Sequence, residues 1–446
     1  LAVFDQAGQH RNPNKIIAYE AAEGVDGQRL SDFAYSYQGL ATSDNSQFVM
    51  GFWELPAIDH GWVRFQMSPG ETQSIDGCWP ILHWDGGKGR YAEHARALKS
   101  VGRLGGWKSG HEAWTHRGIA VNRMGNLPAC LYTGAMFDCN VAVIVPNDPK
   151  DLPWIWAYVS SPDYAKEVRR LNQKACVTNV TLVQVPAQRQ RWQVAATPVP
   201  EHITSSDPSQ WCFHGRCAQS SNPLQVAVAR LLGFTWPEAN DTIAKSHIDN
   251  DGIVCLGSVR GERPAADRLR DLLAEIYGSA WSVGKLQELL QQAGAKGKTL
   301  DQWLQSEFFK QHYQVFSNRP FIWHIWDGTT DGFNALVNYH CFDQHTLSRL
   351  AHTYLGDWIT TKRREGKGLL VDAAVALQQQ LDAIATGENP LDIFVRWKSC
   401  AKQPTGWQPD LNDGVRVNIR PFIEAGVLRM TPTIKYGVDK GKNPPG

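Results

Sequence analysis

An α+β architecture, with a mixed-sheet domain followed by a mainly helical one, is the fold class that this sequence predicts, and three observations point to it. At 446 residues the chain exceeds what one hydrophobic core usually organises, so two or more packed units are expected. Up to about residue 198 the apolar runs are short, rich in β-branched and aromatic residues, and closed by Gly, Pro, Asn or Asp. Beyond about residue 222 they recur at spacings of three and four, with Pro near the start and Gly near the end. The expected boundaries are therefore a first domain over 1–198, a Pro/Ser-rich linker over 199–221 and a helical domain over 222–446.

In chain order, strands are expected in GWVRFQM (61–67), GIAVNRM (118–124), ACLYTG (129–134), CNVAVIVP (139–146) and NVTLVQVP (179–186). One long helix is expected over 151–171. In the second half, helices are expected over 222–234 and 264–278. Another is expected from Thr299, where Thr299 and Gln302 have capping-box spacing, and two more over about 344–362 and 370–386. Several Trp of the 18 in the chain, such as Trp154, Trp156, Trp303, Trp323, Trp326 and Trp358, sit among apolar neighbours, which favours packing over a sugar-binding row.

Composition bounds the function. Apolar residues are 42% and charged residues 20%, and no uncharged apolar run is long enough to span a membrane. The first residues also lack the pattern of a signal peptide, so a soluble, cytoplasmic protein is expected. Nine scattered Cys argue for reduced thiols. Cys212, His214 and Cys217 form the one tight group, with His340, Cys341 and His345 as distant companions; ordinary buried or turn residues are favoured over zinc ligands. Net charge is only +1, yet residues 86–130 hold eight Lys or Arg against two acids, and residues 166–191 hold six against one. Two basic segments thus lie in the first half, a pattern compatible with a polyanion partner or with a solvated face.

Familiar catalytic motifs are missing: no G-x-S-x-G, P-loop, H-E-x-x-H or strand-linked G-x-G-x-x-G is present. Asp249–Gly252 (DNDG) lacks the later Glu of a calcium loop and reads as a turn. Asp327 and Asp331 could serve a metal-dependent nuclease, though turn chemistry surrounds both.

Several segments together carry a resemblance. GLATSDNSQF (39–48), CWPILHWDGGKGRY (78–91), the strand-rich stretch from Trp114 to Pro146, the helix and exit strand of 156–186, and four tail segments (319–340, 353–359, 392–398, 410–429) are similar to the region after the catalytic domain in adenine-specific DNA methyltransferases of type IIG restriction–modification and BREX-type phage-defence systems. What the resemblance implies is a double-stranded DNA target-recognition domain over 1–198, followed by a helical tail. It also implies S-adenosylmethionine bound by a separate catalytic domain, N-terminal or supplied in trans, with no cofactor in this chain. The N-P-P-Y/F motif that holds the flipped adenine is absent here; KNPPG at 442–446 lacks its aromatic and is rejected. Leu1 and the Gly/Pro-rich ending suggest part of a longer protein or a separately encoded half.

Candidate DNA contacts follow from residue chemistry. Thr42, Ser43 and Asn45 lie in a polar turn suited to phosphate or base edges, while Asp44 repels phosphate, and a locally capped turn is the alternative. Lys88, Arg90 and Tyr91 come from a Gly-rich loop. Strand alternation puts Arg117, Ile119, Val121 and Arg123 on one face, with His116 and Asn122 nearby, so Arg and Asn of the types that read guanine and adenine are both on offer. For the residues of the basic segments a surface salt bridge is the competing assignment, and for the Gly-rich loop a flexible turn. A nuclease using Asp327 and Asp331 and a glycan- or protein-binding module are the rival functions.

Overall fold

The computed structural model describes residues 27–104, 107–240 and 243–434; KNPPG lies outside them. The chain is α+β and divides into two compact units, one of residues 1–49 and 58–205, the other of residues 50–57 and 206–446. The division falls inside the stretch expected as linker, and eight residues from the sequence of the first half belong to the second unit.

In the first unit, one antiparallel sheet runs in the order Ala34–Gln38, Val141–Pro146, Gly118–Asn122, Ala129–Tyr132. Both of its faces are covered, and the pleat decides which residue goes where. Ile119, Val121, Ala142 and Ile144 enter a core shared with Trp154, Ile155, Tyr158 and Tyr164 of the following helices. The intervening Ala120, Val141 and Val143 enter a second core with Tyr132 and Phe137. In a smaller sheet, Trp62–Gln66 pairs antiparallel with Pro80–His83 and parallel with Met136–Phe137.

Two expectations are corrected here. The 151–171 helix is two, Leu152–Val159 and Pro162–Leu171, because Pro162 cannot donate to the preceding turn; Ser161 instead caps Tyr164 N–H. NVTLVQVP contains a helix, Asn179–Val183, where a strand was expected: Thr181, Leu182 and Val183 are buried, and Asn179 Nδ2 donates to Ser36 O at 2.8 Å. Burial of three consecutive side chains overrides β propensity.

The second unit holds a three-stranded antiparallel sheet, Ile322–Trp326, Asn334–Asn338 and Ile253–Cys255, among helices. Pro223–Leu231, Ala265–Tyr277 and Gly368–Thr386 form as expected, and Thr299 and Gln302 make the reciprocal capping box at 3.2 and 2.9 Å. Trp323 stacks on Tyr339 at 5.2 Å and abuts Phe422 at 5.0 Å, so aromatics fill this core. Residues 50–57 are built into it. Trp53 is fully buried, and the Glu54 carboxylate accepts Gly51 N–H, Val415 N–H and Arg319 Nη1 at 2.7, 2.8 and 2.9 Å.

Candidate nucleic-acid interface

The hairpin of Gly118–Asn122 and Ala129–Tyr132 carries the most basic part of the sequence-nominated set, and hydrogen bonding decides which of its side chains are available. Arg123 follows the strand, and its guanidinium donates to Val177 O at 2.8 Å and Cys139 O at 2.9 Å. Its own carbonyl accepts Val177 N–H at 2.9 Å. Asn122 donates to Pro69 O at 3.1 Å and accepts Met124 N–H at 3.0 Å. Arg169, from helix Pro162–Leu171, reaches Gly125 O at 2.6 Å. These side chains brace the hairpin tip. The face expected to line a groove is the helix-covered one, with Ile119 and Val121 wholly buried, so alternation sorted the residues and tertiary packing closed that face.

The tip that is held in this way presents Met124, Gly125 and Asn126. Met124 is 49% exposed, and the Asn126 side chain is exposed, with no hydrogen-bond partner among the described residues. Opposite lies the 67–77 loop, organised by Asp76, whose carboxylate accepts Gly70 N–H and Gly77 N–H, each at 2.7 Å. The loop is zipped to the hairpin edge through Gln73 N–H to Ala129 O and Leu131 N–H to Ser74 O, both 3.1 Å. Between loop and tip is a cleft of about 450 Å³ lined by Glu71, Thr72, Asn122, Met124 and Asn126 among others. Its free polar groups are an amide and a carboxylate, the types that pair with adenine and with the cytosine amino group. Sequence reasoning missed Glu71 and Asn126. An Asn one residue past a Met-Gly turn was the available signal, but only the cleft gives it meaning.

The remaining nominated residues are scattered in role. Tyr91 is fully buried against Phe48 and Trp84, and its hydroxyl donates to Ala41 O or Trp107 O at 3.1 and 3.2 Å. Burial drives its pKa well above the usual phenol value, so this ring is core and cannot reach a groove. Thr42 is 4% exposed, with its hydroxyl on Asn45 Oδ1, and Ser43 Oγ lies 3.1 Å from His94 Nε2. The 42–45 stretch is thus a locally satisfied turn before the short helix Asn45–Phe48, with Ser43 and Asn45 on its exposed side. Arg117 is exposed and donates to Pro200 O; exposed His116 lies 3.0 Å from Trp114 O. Lys88 and Arg90 precede and open helix Arg90–Ser100, and neither side chain has an acceptor among the described residues. Asp85, Gly86 and Gly87 hold positive φ, which two glycines make inexpensive, and this turn sets Lys88 out into solvent. Behind it, burial, with Arg90 adding to the effect, lowers the pKa of His83 below the ordinary imidazole value.

The rival sites do not assemble. Asp327 accepts Thr329 N–H, Thr329 Oγ1–H and Phe333 N–H at 3.0, 2.8 and 2.7 Å, so its carboxylate is spent on a turn, while Asp331 is exposed. Cys217 donates to Pro223 O, and His214 Nδ1 lies 3.0 Å from Glu238 O. Among the described residues, no group of three His, Cys, Asp or Glu converges as a metal site. Among the described residues, too, no Trp is one of the exposed large apolar side chains and no helix is long and apolar enough to cross a membrane.

No family model matches the chain. Its curated relatives are adenine-specific methyltransferases, the class that the sequence motifs resemble. BrxX of Escherichia coli O9:H4 (strain HS) is 26% identical over 236 residues, covering 47% of this chain and 19% of that protein. PglX of Lacticaseibacillus casei (strain Zhang) is 26% identical over 99 residues, covering 21% and 8%. The chain therefore matches only a minor part of the length of these relatives. Among solved structures, the type IIL restriction–modification enzyme MmeI in complex with DNA aligns over 67% of this chain and 38% of its own, with 12% identity and a TM-score of 0.24.

Proposed function

We propose that this chain is the double-stranded DNA recognition region of an adenine-specific methyltransferase of a restriction–modification or phage-defence system. S-adenosylmethionine and the catalytic motif then belong to a methyltransferase domain in the same longer protein or supplied in trans. The observation that carries this reading is the braced hairpin tip: Arg123, Arg169 and Asn122 spend their donors on backbone carbonyls and thereby hold Met124 and Asn126 at the mouth of a cleft. A braced backbone presents the Asn126 amide to a base edge with the ordering entropy of one side chain and not of the whole loop. Asn126 and Glu71 are the base-reading groups, with Lys88, Arg90 and Arg117 as phosphate contacts. His116, Ser43 and Asn45 complete the solvent-facing set, whereas Tyr91, Thr42, Asn122 and Arg123 serve the scaffold.

Duplex-binding titrations across a salt series test it. The log–log slope is expected at about −0.9 per phosphate neutralised, and Lys88→Ala should lower its magnitude by about 1 while weakening all sequences alike. Asn126→Ala should cost about 1–3 kcal/mol on the preferred site only. If neither the chain alone nor the chain with its methyltransferase half shows salt-dependent duplex affinity, the assignment fails.

A further inference from the structure

A cavity of about 620 Å³ lies in the helical unit, and the DNA-recognition reading makes no use of it. Its floor is the Asp249–Gly252 turn. Asp249 Oδ1 accepts three backbone N–H groups at 2.8–3.2 Å, and Oδ2 pairs with Arg268 at 2.9 Å. Asp251 Oδ2 receives both Arg349 Nη1 at 3.0 Å and the Tyr354 hydroxyl at 3.1 Å. That convergence depends on a local irregularity, because residues 349–354 form a π-helical segment. Five residues along an α-helix turn the side chain by about 140° from its starting direction; the wider i→i+5 turn swings Tyr354 back to the side of Arg349. Such segments concentrate at functional sites.

The charges of the cavity nearly cancel in pairs. Arg268 answers Asp249, Arg349 answers Asp251, and Arg263 on the rim answers Asp271. Two groups are left with capacity. The Arg260 guanidinium lies over the Tyr354 ring at 5.3 Å and has no carboxylate or carbonyl acceptor among the described residues. Arg260 holds a positive φ of 55°, and its backbone N–H is tied to Asp357 at 3.0 Å, so a strained residue is fixed at the edge of the cavity. Glu262 Oε1 lies 3.1 Å from the Tyr354 hydroxyl, whose single proton it shares with Asp251, and its other oxygen is 3.9 Å from Arg268, beyond a hydrogen bond. The cavity thus offers a planar donor fork, pre-stacked on an aromatic ring, and one carboxylate oxygen ready to accept.

We infer that this cavity binds a nucleoside phosphomonoester, with Arg260 on the phosphate and Glu262 accepting from a hydroxyl or amino group of the nucleoside. A guanidinium fork matches a phosphate bidentately, and Arg263, Arg268 and Arg349 line the same cavity. The pairwise charge balance selects a small ligand with one anionic head over a long polyanion, and the volume is that of a small-molecule site. The same chemistry is found in a free nucleotide and in the phosphorylated 5′ end of a DNA strand.

Isothermal titration of the whole 446-residue chain distinguishes these sources, with adenosine 5′-monophosphate, inorganic phosphate, and one short oligonucleotide with and without a 5′ phosphate. Saturable binding of the mononucleotide, with weaker competition by inorganic phosphate, is expected. Saturable binding of the 5′-phosphorylated oligonucleotide alone assigns the ligand to strand ends. Arg260→Ala, an exposed position whose folding circular dichroism can verify, should weaken binding by about tenfold or more, and Glu262→Gln by about threefold. The base-reading variant Asn126→Ala should leave it unchanged, which separates this site from DNA recognition. Absence of saturable heat with every phosphorylated probe, equal binding of the unphosphorylated oligonucleotide, or an unaltered affinity in Arg260→Ala overturns the inference.

Discussion

The hairpin tip of the first unit and the cavity of the second use the same side chain in opposite ways. At the tip, Arg123 and Arg169 donate to backbone carbonyls, neither has an ion pair among the described residues, and their geometry serves the chain itself. In the cavity, Arg268 and Arg349 meet carboxylates, and Arg260, which has no acceptor among the described residues, stands on an aromatic ring. The difference teaches that a count of basic residues overstates the donors available to a partner. Arg123 and Arg96, both within the +6 stretch of 86–130, are committed to Val177, Cys139 and Ala92 carbonyls. What remains available to the proposed DNA contact is a short list headed by Lys88 and Arg90.

The two units should also separate in how they respond to acid, and this is the largest expected effect. His312 and His324 of the second unit are fully buried, and burial holds their pKa at about 3 and about 4. The unfolded chain takes up these protons near pH 6.5. Stability from both is therefore complete above pH 6.5 and is lost as pH falls towards 4, at about 2 kcal/mol each by pH 5. In the first unit His83 shifts the same way but is partly exposed, so its share is smaller. Denaturant unfolding at pH 7.5 and 5.0, followed by fluorescence and by domain-resolved hydrogen exchange, should show the second unit losing more; equal losses would erase the contrast.

Next in size is Glu54→Ala. Removing a 1%-exposed carboxylate takes the acceptor from two backbone N–H groups and breaks the ion pair with Arg319, and should cost the second unit about 3 kcal/mol although the residue lies in the sequence of the first half. Exchange protection lost around 322–338 rather than around 118–146 is the expected signature. Arg123→Ala should cost the first unit about 2 kcal/mol by leaving the Val177 and Cys139 carbonyls short of donors. It should also blunt site preference more than general affinity, since it loosens the tip and not a phosphate contact. Arg117→Ala is the smallest: an exposed side chain donating to one carbonyl should change stability by less than about 0.5 kcal/mol, and its effect should be confined to DNA affinity and salt slope. A destabilisation equal to that of Arg123→Ala would mean that the two arginines do the same work.

What could be read without coordinates was whatever depends on local chemistry. Periodicity and turn residues placed the strands at 118–122 and 129–132 and the helices at 223–231 and 265–277, and the Thr299–Gln302 box formed at its predicted place, because side-chain alternation and capping are decided within a few residues. The motif resemblance likewise pointed to adenine-specific methyltransferases, the class of its relatives. Tertiary structure alone decided which donors are free. Arg123 and Asn122 read as base contacts until partners 54 and 53 residues away in sequence claimed them, and Tyr91 read as a surface ring until the Phe48 and Trp84 core enclosed it. The cavity of the second unit was equally hidden, since Asp251, Glu262, Arg349 and Tyr354 meet across about a hundred residues and through a π-helical turn. A side chain's type is written in its own position, but its availability depends on which distant backbone groups have no other partner, and only the folded chain brings those together.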